Sequence, residues 1–492
     1  MSESTVATDH ADTRVRLSII IPVYNNEDHI RRSVETAAKQ TVAGGSTEVV
    51  VINDGSTDGT TDILDQLKTQ HENLQVVHQE NSGWAGGPRN TGFDLAKGDY
   101  VFFHDADDQL NGDCLGSAVE YADDHHSDVV AVKIEGRGGR YTHMDVFEST
   151  QEDGDIRKLV RSNFVFKLFR RSFLAVHHLR FPAHNIRLED AQFCFRAYSL
   201  ASRVSILSDR TYYFVWNHGT GHISHSRAAP DAHAQGIRRS LEPLRADSWE
   251  DDVRREAMAD FFRRVILARF NDRFPKESID FRLGWVRESS QLARDFAVPE
   301  RLHEYYGKIS LARLWSALRA NPALVEAVSR QFRRDHVVIS EVDDVRTSGL
   351  HLELRGTAAA LISSESFSEL RILMKQGGKT VEQLDAELTS SGDIAVETLE
   401  LSNQAQRFVV RIPKRVLLRH RSVKLYSSAL DGSGTRTKTI RVGLAADTST
   451  HNRRSIFAVE VFPTRLRGLS IRSGFGVARR LKRLLRGAKT RN

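Results

Sequence analysis

The sequence contains little cysteine and no long apolar run, and both absences narrow what the chain can be. Only two cysteines occur, Cys114 and Cys194, which excludes a disulfide scaffold and a thiolate zinc cluster and fits a reduced, cytosolic setting. No apolar run reaches the roughly 18 residues of a membrane-spanning helix, so none is predicted. The N-terminus contains acidic residues and lacks an apolar core, so we expect no secretion signal there.

Acidic residues are absent from the C-terminus. Thr464–Asn492 contains ten Lys and Arg and no Asp or Glu, whereas the whole chain has a net charge of +6, so the remainder is acidic. Within this stretch, residues 477–487 (VARRLKRLLRG) place apolar residues on one helical face and basic residues elsewhere. This pattern predicts a basic amphipathic helix on an anionic membrane surface, with a flexible solvated tail as the alternative. Aromatic residues are limited to Phe475, so no nucleic-acid partner is expected.

Hydrophobic periodicity divides the chain into five segments. Residues 1–15 are predicted to be disordered. Residues 16–227 alternate short β-rich runs with helical stretches, which predicts an α/β domain with a largely parallel sheet. Residues 228–334 have helical spacing and form a predicted helical linker domain, whereas residues 335–445 alternate polar and apolar side chains, as in a β-sandwich. Residues 446–492 make up the basic tail.

One short stretch, GDYVFFHDADD, ends an apolar strand directly in three carboxylates, Asp105, Asp107 and Asp108. Carboxylates that lie this close together repel one another and raise one another's pKa, so the arrangement requires a compensating partner. Carboxylate oxygens suit hard divalent cations such as Mg²⁺ or Mn²⁺, and such an ion would bridge to a diphosphate. The alternative is a solvated acidic loop after a strand.

Two other segments precede this strand. Asp54 ends the strand-like run VVVIND, and ligands bind beyond the carboxyl ends of strands in open α/β sheets. Asp54 would otherwise cap the helix that follows. The stretch NSGWAGGPRNTG contains Gly83, Gly86 and Gly87, which would let the backbone approach a ligand, and Arg89, a fixed cation for a phosphate or a carboxylate. A glycine-rich turn is the simpler interpretation.

Four ordered segments resemble the successive motifs of family 2 glycosyltransferases with a GT-A fold: SIIIPVYNNEDHIRRSVETAAKQT, VVVINDGSTDGT, NSGWAGGPRNTGFDLAKGDYVFFHDADD and RLEDAQFCFRAYSL. The resemblance covers roughly residues 16–227. The Pro88-Arg89-Asn90 form, in place of Ala-Arg-Asn, looks closer to the branch that glycosylates poly(ribitol phosphate) of wall teichoic acid. It implies inverting transfer from a UDP-sugar to a hydroxyl of a cell-surface polymer, such as a teichoic-acid-like polyol phosphate. Capsular polysaccharide, exopolysaccharide or a lipid-linked glycan are alternative acceptors, and a catalytically silent glycan-binding protein is the non-enzyme alternative.

The resemblance also implies roles for individual residues. Asp190 corresponds to the catalytic base, with Glu189 beside it to tune its pKa or hold the acceptor; a helix cap is the alternative for this pair. Asp107 would bind Mn²⁺ or Mg²⁺, and His222 and Ser224 are candidates to complete the metal shell or hold the diphosphate. The residues expected to bind the nucleotide-sugar are Pro22, Tyr24, Asp54, Asn81, Arg89, Asp105 and Asp107.

The remaining segments allow broader expectations. Lys167, Arg170 and Arg171 lie in a segment resembling one near the acceptor side, and a solvated helical face is the alternative. The C-terminal half resembles modules that bind polymer or make subunit contacts, so a homo-oligomer is one alternative. Together with the tail, these features predict a cytoplasmic enzyme held peripherally at the inner face of the cell membrane.

Overall fold

The computed structural model divides the chain into two compact units between Phe261 and Phe262, and each unit is described by itself. All structural statements below concern the described residues. These are residues 14–182, 186–219, 229–245, 249–296, 308–318, 320, 322–330, 338–348, 350–360, 369–376, 378–389, 405–419, 422–430, 440–441, 443–450, 459–463 and 469–473.

The first unit is an α/β domain built on a seven-stranded sheet. Its strands, including those of a second, small sheet, are β1 (Val15–Val23), β2 (Ser46–Asp54), β3 (Leu74–Gln79), β4 (Tyr100–Phe103), β5 (Gln109–Leu110), β6 (Val129–Val132), β7 (Ile134–Arg137), β8 (Lys167–Arg170), β9 (Val204–Leu207) and β10 (Tyr213–Trp216). The main sheet has the order β3-β2-β1-β4-β8-β6-β9, and only β8 runs antiparallel to its neighbours. The small sheet has the order β5-β10-β7.

Helices connect these strands. They are α1 (Ile30–Ala38), α2 (Thr60–Gln70), α3 (Gly86–Leu95), α4 (Leu115–Asp124), α5 (Ile156–Leu159), α6 (Arg171–Val176), α7 (Glu189–Leu200) and α8 (Pro230–Leu241). The central strands contain continuous apolar and buried runs, such as Ile19–Ile21 in β1 and Val49–Ile52 in β2, as expected where helices cover both faces of a sheet. In α1 the buried Ile30, Val34 and Ala37 recur at helical spacing, so one stripe of the helix packs inward. The predicted α/β class is confirmed.

Helix α3 lies closest to the sheet at Gly92. A Cβ atom at this position would be 2.4 Å from Cγ2 of Ile20 on β1 and 3.4 Å from Cγ1 of Ile52 on β2. Only glycine permits this approach without displacing the strands. The contact fixes α3 against the two strands whose ends form the site described below.

Further helices follow, as the sequence predicts for residues 228–334. Helix α9 (Asp251–Val265) crosses the division between the units, which therefore lies later than the predicted boundary at residue 227. The second unit begins with α10 (Ile279–Asp295), α11 (Lys308–Leu318) and α12 (Pro322–Arg330). Among the described residues, no helix combines the length and the apolar character needed to cross a bilayer.

The rest of the second unit is a ten-stranded, mostly antiparallel sheet with the order β18-β11-β12-β15-β14-β13-β16-β20-β19, in which β17 pairs with β16. Buried side chains from both halves of this sheet, among them Leu354 and Ile372, form one core, as expected for a β-sandwich. The elements are β11 (Val338–Ser348), β12 (His351–Ala360), β13 (Glu369–Gln376), β14 (Lys379–Thr389), β15 (Ala405–Pro413), α13 (Lys414–Arg419), β16 (Ser422–Leu430), β17 (Ile440–Arg441), β18 (Gly443–Thr450), β19 (Val459–Pro463) and β20 (Leu469–Ser473).

The strands continue beyond residue 445, where the sequence analysis ended the β-sandwich. β20 pairs with β16, and β19 pairs with β20, so part of the predicted tail belongs to the sheet. The composition of this region is basic, but alternating side chains such as Val459 and Val461 still supply strand residues. The predicted amphipathic helix at residues 477–487 lies outside the described residues.

We predict that Gly92→Ala destabilises the first unit. The added methyl group has no room between α3 and Ile20, and overpacking of this kind costs about 1–3 kcal/mol. In thermal unfolding followed by circular dichroism, this corresponds to a fall of several degrees in the melting temperature. Asp94→Ala on the exposed part of the same helix is the control, because it loses only a surface ion pair with Arg180. An unchanged melting temperature for Gly92→Ala would contradict the packing argument.

Candidate active site

Neighbouring parallel strands end at one edge of the main sheet, and the residues predicted to bind the nucleotide lie there. β1 pairs in parallel with both β2 and β4, so the carboxyl ends of the three strands open side by side. Pro22 is the penultimate residue of β1, and Tyr24 follows the strand with 52% of its surface exposed. Asp54 is the last residue of β2 and is buried. The structure therefore brings these three predicted residues to the same edge.

The carboxylate of Asp54 organises the loop that follows β3. It accepts hydrogen bonds from Nε2 of Gln79 at 2.6 Å, from the amide of Ser82 at 3.1 Å and from the hydroxyl of Ser82 at 2.9 Å. In the same loop, Oδ1 of Asn81 accepts a hydrogen bond from the amide of Gly83 at 2.7 Å. No side chain caps α2, so Asp54 is not the cap of that helix.

Arg89 connects two acids that are far apart in the sequence. Its Nη1 donates to Oδ1 of Asp190 at 2.7 Å, and its Nη2 donates to Oδ1 of Asp105 at 2.8 Å. The residue is only 3% exposed, and its guanidinium lies 5.1 Å from the centre of the Phe181 ring. The predicted fixed cation therefore pairs with carboxylates, and it places the candidate base beside the acids that follow β4.

Burial and charge determine the protonation of this group. Burial alone would lower the pKa of Arg89, but Asp190, Asp105 and Glu189 more than offset it, so the guanidinium stays charged. The surrounding protein raises the pKa of Asp190 to about 7 by desolvation, with Arg89 opposing this shift and Glu189 and Asp105 adding to it. The side chain of Asp190 is still 23% exposed, so a substrate can reach it. A carboxylate with these properties is suited to accept a proton near neutral pH.

The backbone at the start of α7 aims Asp190. Leu188 precedes the helix in the left-handed region, with φ of 63°, a conformation that a branched residue adopts only where its surroundings impose it. Glu189 and Asp190 are then the first two residues of the helix, and no side chain forms a cap bond. The alternative interpretation of this pair as a helix cap is therefore wrong, because the cap position belongs to Leu188.

The three acids after β4 lie close enough to share one cation. Each of Asp105, Asp107 and Asp108 has a carboxylate oxygen within 4.8 Å of the others. Hard oxygen donors in this number fit Mg²⁺ or Mn²⁺, which bind few carboxylates and complete their shell with water and phosphate. Among the described residues, this is the one group of three such side chains that would hold a metal ion.

Asp108 has a structural role that the sequence analysis did not assign. It is 3% exposed, and Oδ1 accepts a hydrogen bond from the amide of Trp216 at 2.8 Å, which ties the acidic loop to β10. Burial, followed by the charges of Asp107 and Asp105, raises the pKa of Asp108 well above its usual value. The three acids therefore differ, since Asp105 pairs with Arg89 and Asp108 bonds to β10.

A basic and aromatic group surrounds the backbone of Asp107, and motif reasoning missed most of it. The carbonyl oxygen of Asp107 accepts hydrogen bonds from Nη2 of Arg32 at 3.2 Å and from Nε2 of His218 at 2.9 Å. His218 stacks on His29 with ring centres 3.7 Å apart, and the Arg32 guanidinium lies 4.7 Å from the Trp216 ring centre. His29 and Arg32 are three residues apart, which places them on one face of a helix, and this spacing is the sequence signal that could have identified the group.

Two other candidates in this part of the chain cannot be placed. His222 and Ser224, the predicted partners of the metal or the diphosphate, lie outside the described residues. They follow His218 by a few positions, and His218 itself contacts the acidic loop. The structure thus places the beginning of their segment at the site.

The glycines before Arg89 serve packing. Gly86 and Gly87 lie in the first turn of α3, where Cβ atoms would be 2.5 Å from the carbonyl oxygen of Pro182 and 2.6 Å from Oγ of Ser82. Gly83, with φ of 82°, forms the turn before the helix. Neighbouring protein segments therefore occupy the space where the Cβ atoms of Gly86 and Gly87 would lie, whereas the approach of this backbone to a ligand stays a prediction.

The alternative interpretation of Lys167, Arg170 and Arg171 as a solvated helical face is wrong, whereas their place near the acceptor stays a prediction. Lys167 and Arg170 lie in β8, and Arg171 begins α6, so they do not form a solvated helical face. Each side chain donates to backbone carbonyl oxygens, for example Lys167 Nζ to Ser162 at 3.0 Å and Arg171 Nε to Gly98 at 2.7 Å. These cations hold loops to the sheet.

Comparisons with known proteins agree with this geometry. The sequence profile described as Glycosyl transferase family 2 matches residues 18–179. The chain is 31% identical to a poly(ribitol-phosphate) beta-glucosyltransferase of Bacillus spizizenii over 299 residues, which are 59% of this chain and 46% of that protein. It is 32% identical to poly(ribitol-phosphate) beta-N-acetylglucosaminyltransferase TarS of Staphylococcus aureus over 296 residues, 58% of this chain and 50% of TarS. The chain thus spans about half the length of these curated relatives.

Solved structures support the same assignment. The crystal structure of S. aureus TarS residues 1–349 in complex with UDP-GlcNAc has a TM-score of 0.59 and 27% identity, and covers 69% of this chain and 96% of that one. A second crystal structure, of S. aureus TarS, aligns with 94% of this chain over 85% of the TarS chain. Its TM-score is 0.58 at 21% sequence identity, which shows a shared fold. Residues 18–179 of this chain therefore match the family 2 glycosyltransferase profile, and the fold around them is similar to that of TarS, consistent with a GT-A fold.

Proposed function

We propose that the chain is an inverting glycosyltransferase that moves a sugar from a UDP-sugar to a hydroxyl of a polyol phosphate polymer. The observation that carries this proposal is the pair of hydrogen bonds from Arg89 to Asp190 and to Asp105. They hold the candidate base, Asp190, beside the first of the three acids that follow β4. A transferase needs its base and its leaving-group site within reach of one anomeric carbon. A silent glycan-binding protein would not need this arrangement.

The proposed chemistry follows from the position and pKa of Asp190. Its carboxylate takes the proton from an acceptor hydroxyl, and that oxygen attacks the anomeric carbon from the face opposite the UDP. The bond between the anomeric carbon and the diphosphate breaks, and its electron pair leaves with UDP. Glu189, directly beside Asp190, raises the pKa of the base. One displacement on the opposite face inverts the configuration.

Asp107, with Asp105 and Asp108 close by, would hold Mn²⁺ or Mg²⁺. When bound, such an ion neutralises charge that develops on the departing diphosphate. The protein positions the acids through Arg89 on one side and the amide of Trp216 on the other. His222 is proposed as a further ligand.

The donor pocket is proposed at the ends of β1 and β2. The exposed ring of Tyr24 offers a stacking surface for the uracil, and Pro22 and Asp54 form the adjoining floor. Asn81 lies in the loop that Asp54 holds. The relative crystallised with UDP-GlcNAc supports a UDP-sugar donor for this chain.

The acceptor and location are proposed from the relatives and the tail. The two curated relatives are named for poly(ribitol-phosphate), which supports a polyol phosphate acceptor here. Because the C-terminal stretch of the chain is basic and free of acids, we also propose that it binds the anionic inner face of the cell membrane. Self-association through the C-terminal β-rich unit is a further part of this proposal.

We predict that Asp190→Asn abolishes sugar transfer while preserving donor binding. The amide has the same shape but accepts no proton, so the transfer rate should fall by about 10² to 10⁴. UDP release measures transfer, and calorimetric titration with UDP measures binding. A variant that retains more than a tenth of the native rate would assign the base to another residue.

The pH dependence of transfer should reflect Asp190. Its pKa is raised from 3.8 to about 7, and only the deprotonated form acts as a base, so activity is present above pH 7 and lost below it. The rate should fall about tenfold per pH unit on the acidic side. A plateau that extends down to pH 5 would contradict this protonation state.

Asp107→Asn should remove the effect of metal on donor binding. Loss of one carboxylate from the acid cluster should reduce the Mn²⁺-dependent gain in UDP affinity by at least about tenfold. Titrations with UDP in Mn²⁺ and in chelator measure this gain. Asp124→Asn, on the exposed end of α4, is the charge-matched control and should behave as the native chain. An equal gain in Asp107→Asn and the native chain would refute the metal assignment.

A further inference from the structure

A tight turn after β7 lies beside the acid cluster, and the proposed mechanism assigns it no role. β7 pairs in parallel with β10, and Arg137 is in register with Trp216. The backbones of paired strands lie about 5 Å apart, and the Trp216 amide binds Asp108 directly. The turn, residues 137–141, therefore lies one strand away from the residues proposed to hold the diphosphate.

The backbone holds this turn in place. The amide of Arg140 donates to the carbonyl oxygen of Arg137 at 3.1 Å, and the amide of Asn217 donates to the same oxygen at 3.1 Å. Gly138, with φ of 62°, lies so close to the carbonyl oxygen of Asn217 that a Cβ would be 2.7 Å from it. Positive φ recurs at Gly139, with 78°. Because these contacts fix the backbone, the Cα positions of Arg140 and Tyr141 are defined.

The turn presents one uncommitted cation and one exposed aromatic ring. Tyr141 is 74% exposed, and its ring lies edge-on to that of His143, at 5.2 Å between centres. The guanidinium of Arg140 forms no ion pair with any carboxylate of the described residues. Arg137, by contrast, pairs with Glu135 at 3.1 Å.

Two acids that lie close to this turn in the sequence are paired with other side chains. Glu135 is engaged by Arg137 and by the hydroxyl of Thr211, and Asp145 is engaged by Arg161. Arg140 is therefore the cation of this turn that remains available for an anion from outside. A guanidinium is the side chain that best matches a phosphate oxygen pair.

From these observations we propose that Arg140 and Tyr141 form a subsite for the polyol phosphate acceptor. Arg140 pairs with a phosphodiester, and the ring of Tyr141 packs on the carbon chain of the adjacent polyol unit while its hydroxyl meets polyol hydroxyls. This inference rests on the proposed function and adds a binding determinant to it. The donor pocket lies at the ends of β1 and β2, so the turn is left for the acceptor.

The chemistry of the two residues selects between acceptor classes. A neutral glycan also packs on an exposed ring, but it offers nothing to an unpaired guanidinium. A polymer in which phosphates and polyols alternate offers a phosphate to Arg140 and an adjacent polyol to Tyr141. We therefore expect the charge of Arg140 to matter for the polymer and not for a neutral acceptor.

The test uses the full chain and purified poly(ribitol phosphate). Polymer binding is measured by biolayer interferometry, and transfer from UDP-GlcNAc and from UDP-glucose is measured by UDP release. Arg140→Ala and Tyr141→Ala should each weaken polymer binding and raise the polymer KM about fivefold, the effect of one charge-assisted or aromatic contact. The affinity for UDP and the donor hydrolysis without acceptor should not change, because neither residue belongs to the donor pocket.

Conservative variants and a control separate binding from folding. Arg140→Lys should retain part of the polymer affinity and Tyr141→Phe most of it, since charge and ring are kept. Lys68→Ala removes one exposed charge from α2, beside β3, and should leave polymer binding unchanged. Added salt should weaken native binding more than binding by Arg140→Ala.

The outcomes distinguish this inference from the proposed function. If the native chain glycosylates the polymer and Arg140→Ala and Tyr141→Ala match it in KM, the subsite is refuted while the function stands. If the native chain hydrolyses UDP-sugars but neither binds nor modifies the polymer, both the subsite and the polyol phosphate acceptor are refuted. Selective loss of polymer affinity with intact donor hydrolysis supports the subsite.

Discussion

The double ion pair of Arg89 is the interaction on which the site depends. Asp190 lies in the first turn of α7, about one hundred positions after Arg89, whereas Asp105 follows the central strand β4, so local sequence does not place the two acids near each other. One buried guanidinium with both its terminal nitrogens engaged sets the separation of the two carboxylates. A lysine would supply the charge but would not provide the planar fork that binds two acids at once. Gly86, which lets α3 approach Pro182, and Gly92, which lets it approach β1, in turn position Arg89.

Much of this domain could be read from the sequence because its signals are local. β1, β2 and β4 contain apolar runs, and the polar residues at or after their carboxyl ends mark the edge where ligands bind in such sheets. The carboxylates after β4 stand out because clustered charges at the end of a buried strand need a reason. Asp190 was predicted as the base from its motif, and the structure adds that desolvation, together with Glu189 and Asp105, raises its pKa.

The features that sequence reasoning missed or misplaced all depend on long-range contacts. A basic segment such as Lys167–Arg170 resembles a solvated face, but β8 is an interior strand of the main sheet, and its cations bind backbone carbonyls that only the fold brings near. The packing role of Gly86 and Gly87 was also missed, because the sequence does not reveal that Pro182 and Ser82 lie where their Cβ atoms would be. The burial of Asp108 likewise depends on β10, which lies more than one hundred residues away.

The charge balance of the site determines which ligands it can accept. Arg89 is already committed to two carboxylates, and Arg32 donates to a backbone oxygen, so the acids after β4 leave the pocket electronegative. A nucleotide diphosphate brings further negative charge, and repulsion between like charges in a partly buried site is costly. Burial, followed by the charges of Asp107 and Asp105, raises the pKa of Asp108, which reflects how closely these acids are held together. The divalent cation proposed for this cluster would offset both the carboxylates and the diphosphate. On the proposed function, the acids therefore select a metal diphosphate over a free diphosphate.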